Sequence, residues 1–133
     1  MNSSKVYFND LKKIADNKVD FFVNASRDLC ISTLKQSKIL VSTSIFEGFG
    51  LTPIEALYCD IPILLSDIEV FKEIYEDNVV YFKQDDLKDL KEKFDYLFNN
   101  KDLQLKIVKD CKHIISEFEP EKFSKRWKKK IGL

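Results

Sequence analysis

Glycine is scarce in this chain: there are three in 133 residues, and two of them, Gly48 and Gly50, stand one residue apart. Proline is as rare, at three, which excludes a collagen-like or low-complexity disordered chain. One histidine and three widely spaced cysteines, Cys30, Cys59 and Cys111, with no C-x-x-C pair, supply neither a zinc ligand set nor an even disulfide framework. They fit reduced core thiols of a cytoplasmic protein. Neither sign of charge dominates, with 22 basic and 22 acidic residues, so there is no overall field for nucleic acid and no such partner is expected. No apolar run reaches the length of a membrane span, and Met1-Asn2-Ser3-Ser4 has no signal-peptide core. Repeats and linkers are also missing. What remains, 44% hydrophobic and 33% charged residues, fits one α/β domain and is too short for two.

The most informative stretch runs from Lys38 to Pro62. An apolar run at Ile39-Leu40-Val41 leads through Ser44 and Glu47 into Gly48-Phe49-Gly50-Leu51, and a second apolar run comes after it at Ile63-Leu64-Leu65. This reads as buried strand, glycine turn, helix, buried strand. Both glycines can take positive φ and let backbone amides approach a ligand. Thr52 is expected as N-cap, Pro53 at the first helical position and Glu55 in a capping box. A strand feeding a glycine loop and a helix N-terminus is suited to an anion, because unpaired N–H groups and the helix dipole point at it.

Around it, Val6, Tyr7, Phe8, Leu11, Ile14 and Ala15 recur at helical intervals to Asp16, although the first of these also fit a short strand. Val19–Val23 reads as a strand, and Ser26 as the N-cap of a helix with Leu29, Cys30, Thr33 and Leu34 on one side. After the glycine motif, Ser66-Asp67 is expected to cap a short helix through Val70, Phe71 and Ile74, and Val79–Phe82 to form another strand. Then the pattern turns helical: one stripe from Leu87 to Phe98 capped by Asp85 or Asp86, another from Asp102 to Phe118 ended by Pro120. Strands alternating with helices predict a parallel sheet of about four strands, with the C-terminal helices covering it.

The spacing of Glu47 and Glu55, with seven residues between them and Ala56 after, resembles the E-x7-E signature of GT-B retaining glycosyltransferases of family 4. Ser66–Ile74 and Val79–Phe82 resemble the segments downstream of that signature in mannosyltransferase-like members. The resemblance implies that residues 1–133 are a single, partial Rossmann-like unit, the later part of the C-terminal donor-binding domain, without the acceptor domain or the first strands. In a sheet of order 3-2-1-4-5-6 the nucleotide sits at the switch point. Val19–Val23 and Lys38–Thr43 match the third and fourth strands, so either these pair directly or another chain fills the gap.

By the same resemblance, Glu47 is the catalytic candidate, meeting the donor sugar or its leaving group. Gly48, Phe49, Gly50 and Leu51 bind the nucleotide-sugar, the amides of the last three meeting sugar and diphosphate. Glu55 has two roles open to it, ribose ligand or capping-box partner of Thr52. Ser44 and Glu73 are secondary candidates, Glu73 being equally compatible with a solvated helix face. Asn24 to Arg27 sit where the loop after the third strand approaches the base in family members; Asn24 and Asp60 stand where those members commonly have glycine, and Thr43 where they have proline. The family generally needs no metal and no cofactor beyond the donor, and none is expected. His113 reads as structural. The basic tail "KFSKRWKKK", Lys122–Lys130, reads as a solvated face first and as a peripheral contact with anionic lipid second.

The expected function is transfer of a sugar, with retention, from a nucleotide-sugar to a polysaccharide or lipid-linked acceptor, by a hexosyltransferase at the cytoplasmic face. The chain alone is expected to be inactive: the cations that family members place near the diphosphate, and the missing glycosyltransferase domain, must come in cis or in trans. A non-catalytic nucleotide-sugar-binding remnant or interaction module is the alternative. A receiver-like regulator is disfavoured, since Ser44 and Glu47 stand where a phosphoacceptor aspartate belongs.

Overall fold

Three apolar runs become strands and lie side by side in chain order. The structure, a computed structural model, describes residues 3–15, 17–117 and 122. Its elements are α1 (Ser3–Ile14), α2 (Arg27–Lys35), β1 (Leu40–Ser42), α3 (Leu51–Tyr58), β2 (Ile63–Ser66), α4 (Glu69–Tyr75), β3 (Val80–Phe82), α5 (Leu87–Phe98), α6 (Lys101–Asp110) and α7 (Lys112–Glu117). The sheet has the order β1-β2-β3, every pair parallel, with Val41 opposite Leu64 and Leu65 opposite Tyr81. All four residues of β2 are buried. A parallel strand covered on both faces has no reason to alternate, which is why Ile63-Leu64-Leu65 is a continuous apolar run.

The α/β class is as expected, but the described residues form three strands and not four. Val19–Val23 is irregular, and Val19, Phe22 and Val23 are at least half exposed, at 50%, 55% and 62%. A strand is stabilised by a neighbour on its ladder, and the outer edge of β1 pairs with no other strand among the described residues. Direct pairing of this segment with β1 does not occur. Leu11 and Ile14 of α1 are likewise exposed, while Phe8 meets Phe21 edge-on with ring centroids 5.5 Å apart.

Helix starts agree with the sequence where a short polar side chain stands at the right place. Ser26 accepts from the Leu29 amide at 3.2 Å and Asp86 from the Asp89 amide at 2.9 Å. Elsewhere they shift. Ile68, not Ser66-Asp67, precedes α4, because Ser66 is needed as the last residue of β2. Capped by Asn100, α6 starts at Lys101 and not at Asp102, and the long stripe predicted there breaks at Cys111 into α6 and α7. Phe118, Pro120 and the tail from Phe123 to Lys130, with Trp127, lie outside the described residues. His113 of α7 ties back to the end of α6, Nδ1 donating to the Asp110 carbonyl at 2.6 Å. Of the cysteines only Cys111 is a core thiol; Cys59 is half-buried and Cys30 exposed, and all three are free.

The core gathers Leu57 of α3, Phe71 and Tyr75 of α4, Leu97 of α5, Ile107 of α6 and Cys111 around β2. Burial pushes the Cys111 thiol up to about 11 and the Tyr75 hydroxyl far above its ordinary value. That hydroxyl is buried with no hydrogen-bond partner among the described residues. An unpaired buried hydroxyl costs about 1–3 kcal/mol, so Tyr75→Phe is expected to stabilise the fold by about 1 kcal/mol in a urea titration. An unchanged or lower midpoint would mean that the hydroxyl has an acceptor.

Asn24 and Asp60, the two residues standing where the resemblance places glycine, have φ of 53° and 57°. Both therefore keep the left-handed turn that glycine takes without strain, and Asn and Asp are the non-glycine types that tolerate it best.

Candidate functional site

Ligands of open parallel sheets bind outside the carboxyl ends of the strands, and the candidate residues lie there. The loop leaving β1 carries Ser44, Glu47 and Gly48; α4, after β2, carries Glu73; Gln84 comes just after β3. A short serine chain orders the first loop. The Ser42 hydroxyl donates to Ser44 Oγ at 3.3 Å, and Ser44 Oγ donates to Glu47 Oε1 at 2.8 Å. The buried Ser66 hydroxyl, from the end of β2, donates to the Ser44 carbonyl. Ser44 is thus fixed by the neighbouring strand and in turn aims the Glu47 carboxylate.

Glu47, Gly48 and Glu73 line one cleft of about 540 Å³. Asp67 and Gln84 share its wall: the Gln84 amide donates to Asp67 Oδ1 at 2.9 Å and Lys72 approaches Oδ2 at 3.5 Å. The Gln84 amide bond, reinforced by Lys72, holds the Asp67 carboxyl below the usual carboxylate range against the opposing effect of burial. Ile45 and Phe46, 69% and 85% exposed, precede Glu47 on the same loop.

The two glycines differ. Gly50 has φ +77°, whereas Gly48 is not in the left-handed region and a Cβ there meets nothing within 4 Å. Positive φ is needed at one position only. At Gly50 a Cβ would also lie 2.5 Å from Phe71 Cε1. Gly50 itself is the N-cap of α3, with no side-chain cap. The expected capping box is therefore absent: Thr52 is the second helical residue and Pro53 the third, still ahead of the first intrahelical N–H bond, so its missing donor costs nothing. The amides of Gly50, Leu51 and Thr52 likewise precede that bond. Phe49 packs against the core and the Leu51 side chain is 65% exposed.

Glu55, released from capping, pairs with Arg27 of α2, Nη1 to Oε1 at 2.9 Å. It stands at the rim of a second cleft, of about 240 Å³, walled by Phe22, Leu29, Leu34, Leu40 and Thr52. The structure thus brings Ser44, Glu47, Gly48 and Glu73 together and sets Glu55 beside a different hollow on the other side of the α3 N-terminus. Sequence reasoning missed Ser66 and Asp67 with Gln84, and it placed Arg27 near the base by resemblance without foreseeing its pairing with Glu55. Among the described residues no three His, Cys, Asp or Glu side chains are grouped to hold a metal ion.

A sequence model described as glycosyl transferases group 1 matches residues 4–113. The chain is 38% identical over 72 residues to the O-antigen chain mannosyltransferase RfbU of Salmonella typhimurium, an alignment covering 54% of this chain and 20% of that protein. A crystal structure of TarM superposes on 96% of this chain with a TM-score of 0.73 at 21% identity, using 26% of TarM. A glycosyltransferase from Rickettsia africae superposes on 86% of it with a TM-score of 0.69 at 25% identity, using 31% of that protein. The chain therefore spans between a fifth and a third of these relatives.

Proposed function

Because the chain belongs to the glycosyl transferases group 1 family, we propose that it is the donor-binding portion of a retaining, family 4 hexosyltransferase of GT-B type that uses a nucleotide-sugar. The observation that carries this reading is the convergence of Glu47, Gly48 and Glu73 on one cleft at the carboxyl ends of parallel strands. Carboxylates there accept hydrogen bonds from sugar hydroxyls. Glu47, aimed by Ser44, orients the sugar. The amides from Phe49 to Leu51 at the start of α3 hold diphosphate, and Glu55 holds the ribose diol. Neither role calls on a metal or on a cofactor beyond the donor.

A helix N-terminus offers only about half a positive charge, too little for a diphosphate, so residues 1–133 act as one partial domain completed by the remaining glycosyltransferase segments in cis or in trans. The outer edge of β1, which pairs with no other strand among the described residues, and the exposed Val19, Phe22 and Val23 support that dependence. The acceptor is a polysaccharide or lipid-linked glycan on the cytoplasmic side. Among the described residues no helix is long and apolar enough to cross a membrane, and contact with the bilayer falls to the basic tail.

Calorimetric titration with UDP, GDP and their sugar conjugates tests this reading. A charged hydrogen bond is worth about 1.5–3 kcal/mol, so Glu55→Ala is expected to weaken a nucleoside diphosphate by roughly 10- to 100-fold. Glu47→Ala should leave the diphosphate alone and weaken only the sugar conjugate. A folded chain that binds none of these at millimolar concentration holds no donor half-site of its own: it is a remnant or interaction module, or a fragment whose site exists only once another segment completes it.

A further inference from the structure

The ion pair between Arg27 and Glu55 has no evident structural purpose. Arg27 opens α2, where a cation opposes the helix dipole. Its side chain is 76% exposed and that of Glu55 29%, the regime in which such pairs stabilise by little or nothing. Three other ion pairs of comparable length among the described residues, Lys13 with Asp10, Lys91 with Asp95 and Lys106 with Asp110, each lie within one helix. This one reaches from α2 to α3, to a carboxylate that lines the smaller cleft. A residue that costs its own helix, and is offset by little at the surface, is the kind of local inconsistency that marks a working position.

Glu55 also presents a difficulty as a ligand for a nucleotide. It is an anion beside the α3 N-terminus, whose half charge is already small against a diphosphate, and an unrestrained carboxylate there would repel the ligand it is meant to hold. Arg27 answers both needs. Its guanidinium occupies Oε1, which fixes the carboxylate in one orientation and leaves Oε2 for a diol, and its charge cancels that of Glu55.

Taking Glu55 as the ribose ligand, we propose that Arg27 is its positioning residue: it holds the Glu55 carboxylate at the cleft rim and neutralises it toward an anionic nucleotide. Arg27 acts through Glu55 and need not touch the nucleotide.

Titration of the 133-residue chain with UDP and GDP, and with their 2′-deoxy forms, tests this. Arg27→Ala is expected to weaken the diphosphates by about tenfold and the deoxy forms by less, because with the diol gone only the loss of the charge that neutralises Glu55 is felt. Arg27→Lys should recover part of the loss, keeping charge without the planar fork. In a Glu55→Ala background, Arg27→Ala should change affinity by less than about twofold, since coupled residues do not add. The melting temperature should move by no more than about 2 °C in each case. Two results overturn the proposal while leaving the donor site standing: Arg27→Ala binding as tightly as the unaltered chain, or losing as much with Glu55 already removed. If the unaltered chain binds neither nucleotide, residues 1–133 hold no donor half-site of their own, and the role of Arg27 in one fails with it.

Discussion

Gly50→Ala is expected to lower the unfolding free energy by about 2–5 kcal/mol, whereas Gly48→Ala should change it by less than about 0.5 kcal/mol. Two independent penalties meet at Gly50. The left-handed φ of +77° costs an alanine about 1–2 kcal/mol. The added Cβ at 2.5 Å from Phe71 Cε1 then displaces a ring with no exposed surface, and forced repacking costs about 1–3 kcal/mol more. At Gly48 neither applies, since the backbone is ordinary and the space around it open. Urea denaturation of the two variants decides the matter. Equal losses would mean that the loop adjusts as a unit and that Gly50 has no special place in it.

Phe71→Ala is expected to cost about 3–5 kcal/mol, the range for deleting a buried aromatic ring. The more telling experiment is the cycle with Gly50. In a Phe71→Leu background the smaller side chain makes room for the alanine Cβ, so Gly50→Ala should lose only its conformational component of about 1–2 kcal/mol. Strict additivity would show that the Cβ is accommodated some other way. The cycle bears on function as well. Phe71 belongs to α4, which carries Glu73, and presses on the residue that opens α3. One ring therefore lies between the helix that carries Glu73 and the N-cap that follows the Glu47–Gly48 loop, and Phe71→Ala should weaken sugar-nucleotide binding beyond what its effect on global stability explains.

How far the sequence foretold this arrangement depended on whether the physics was local. Ser26 and Asp86 cap their helices because one short side chain reaches one amide three residues on. The run Ile63-Leu64-Leu65 became the central strand because continuous apolarity suits nothing else of that length between Pro62 and Asp67. Val19–Val23 has equally good strand composition, yet a strand also needs a neighbour, and among the described residues none pairs with the outer edge of β1. The capping box failed for a related reason: Thr52 and Glu55 satisfy its spacing, but the start of α3 is set by the left-handed turn at Gly50 packed under Phe71, a tertiary fact. The same limit applies to the site. Glu47, Gly48 and Ser44 are near in sequence and could be grouped by eye. Glu73 joins them only through the sheet order, and the approach of Arg27 to Glu55 depends on how α2 lies against α3.

The burial of β2 on both sides has a consequence for synthesis. As the chain leaves the ribosome, Ile63–Leu65 emerges after β1 and α3 but before α4, β3 and α5 exist, so for a time it is a short, uncharged, β-prone run with an open edge. Such a window is what promotes aggregation between nascent chains. Its borders carry the residues that interrupt strand addition: Asp60 in its left-handed turn and Pro62 on one side, Asp67 on the other. Asp60 and Asp67 thus stand where charged residues flank unavoidable hydrophobic strands and interrupt strand addition.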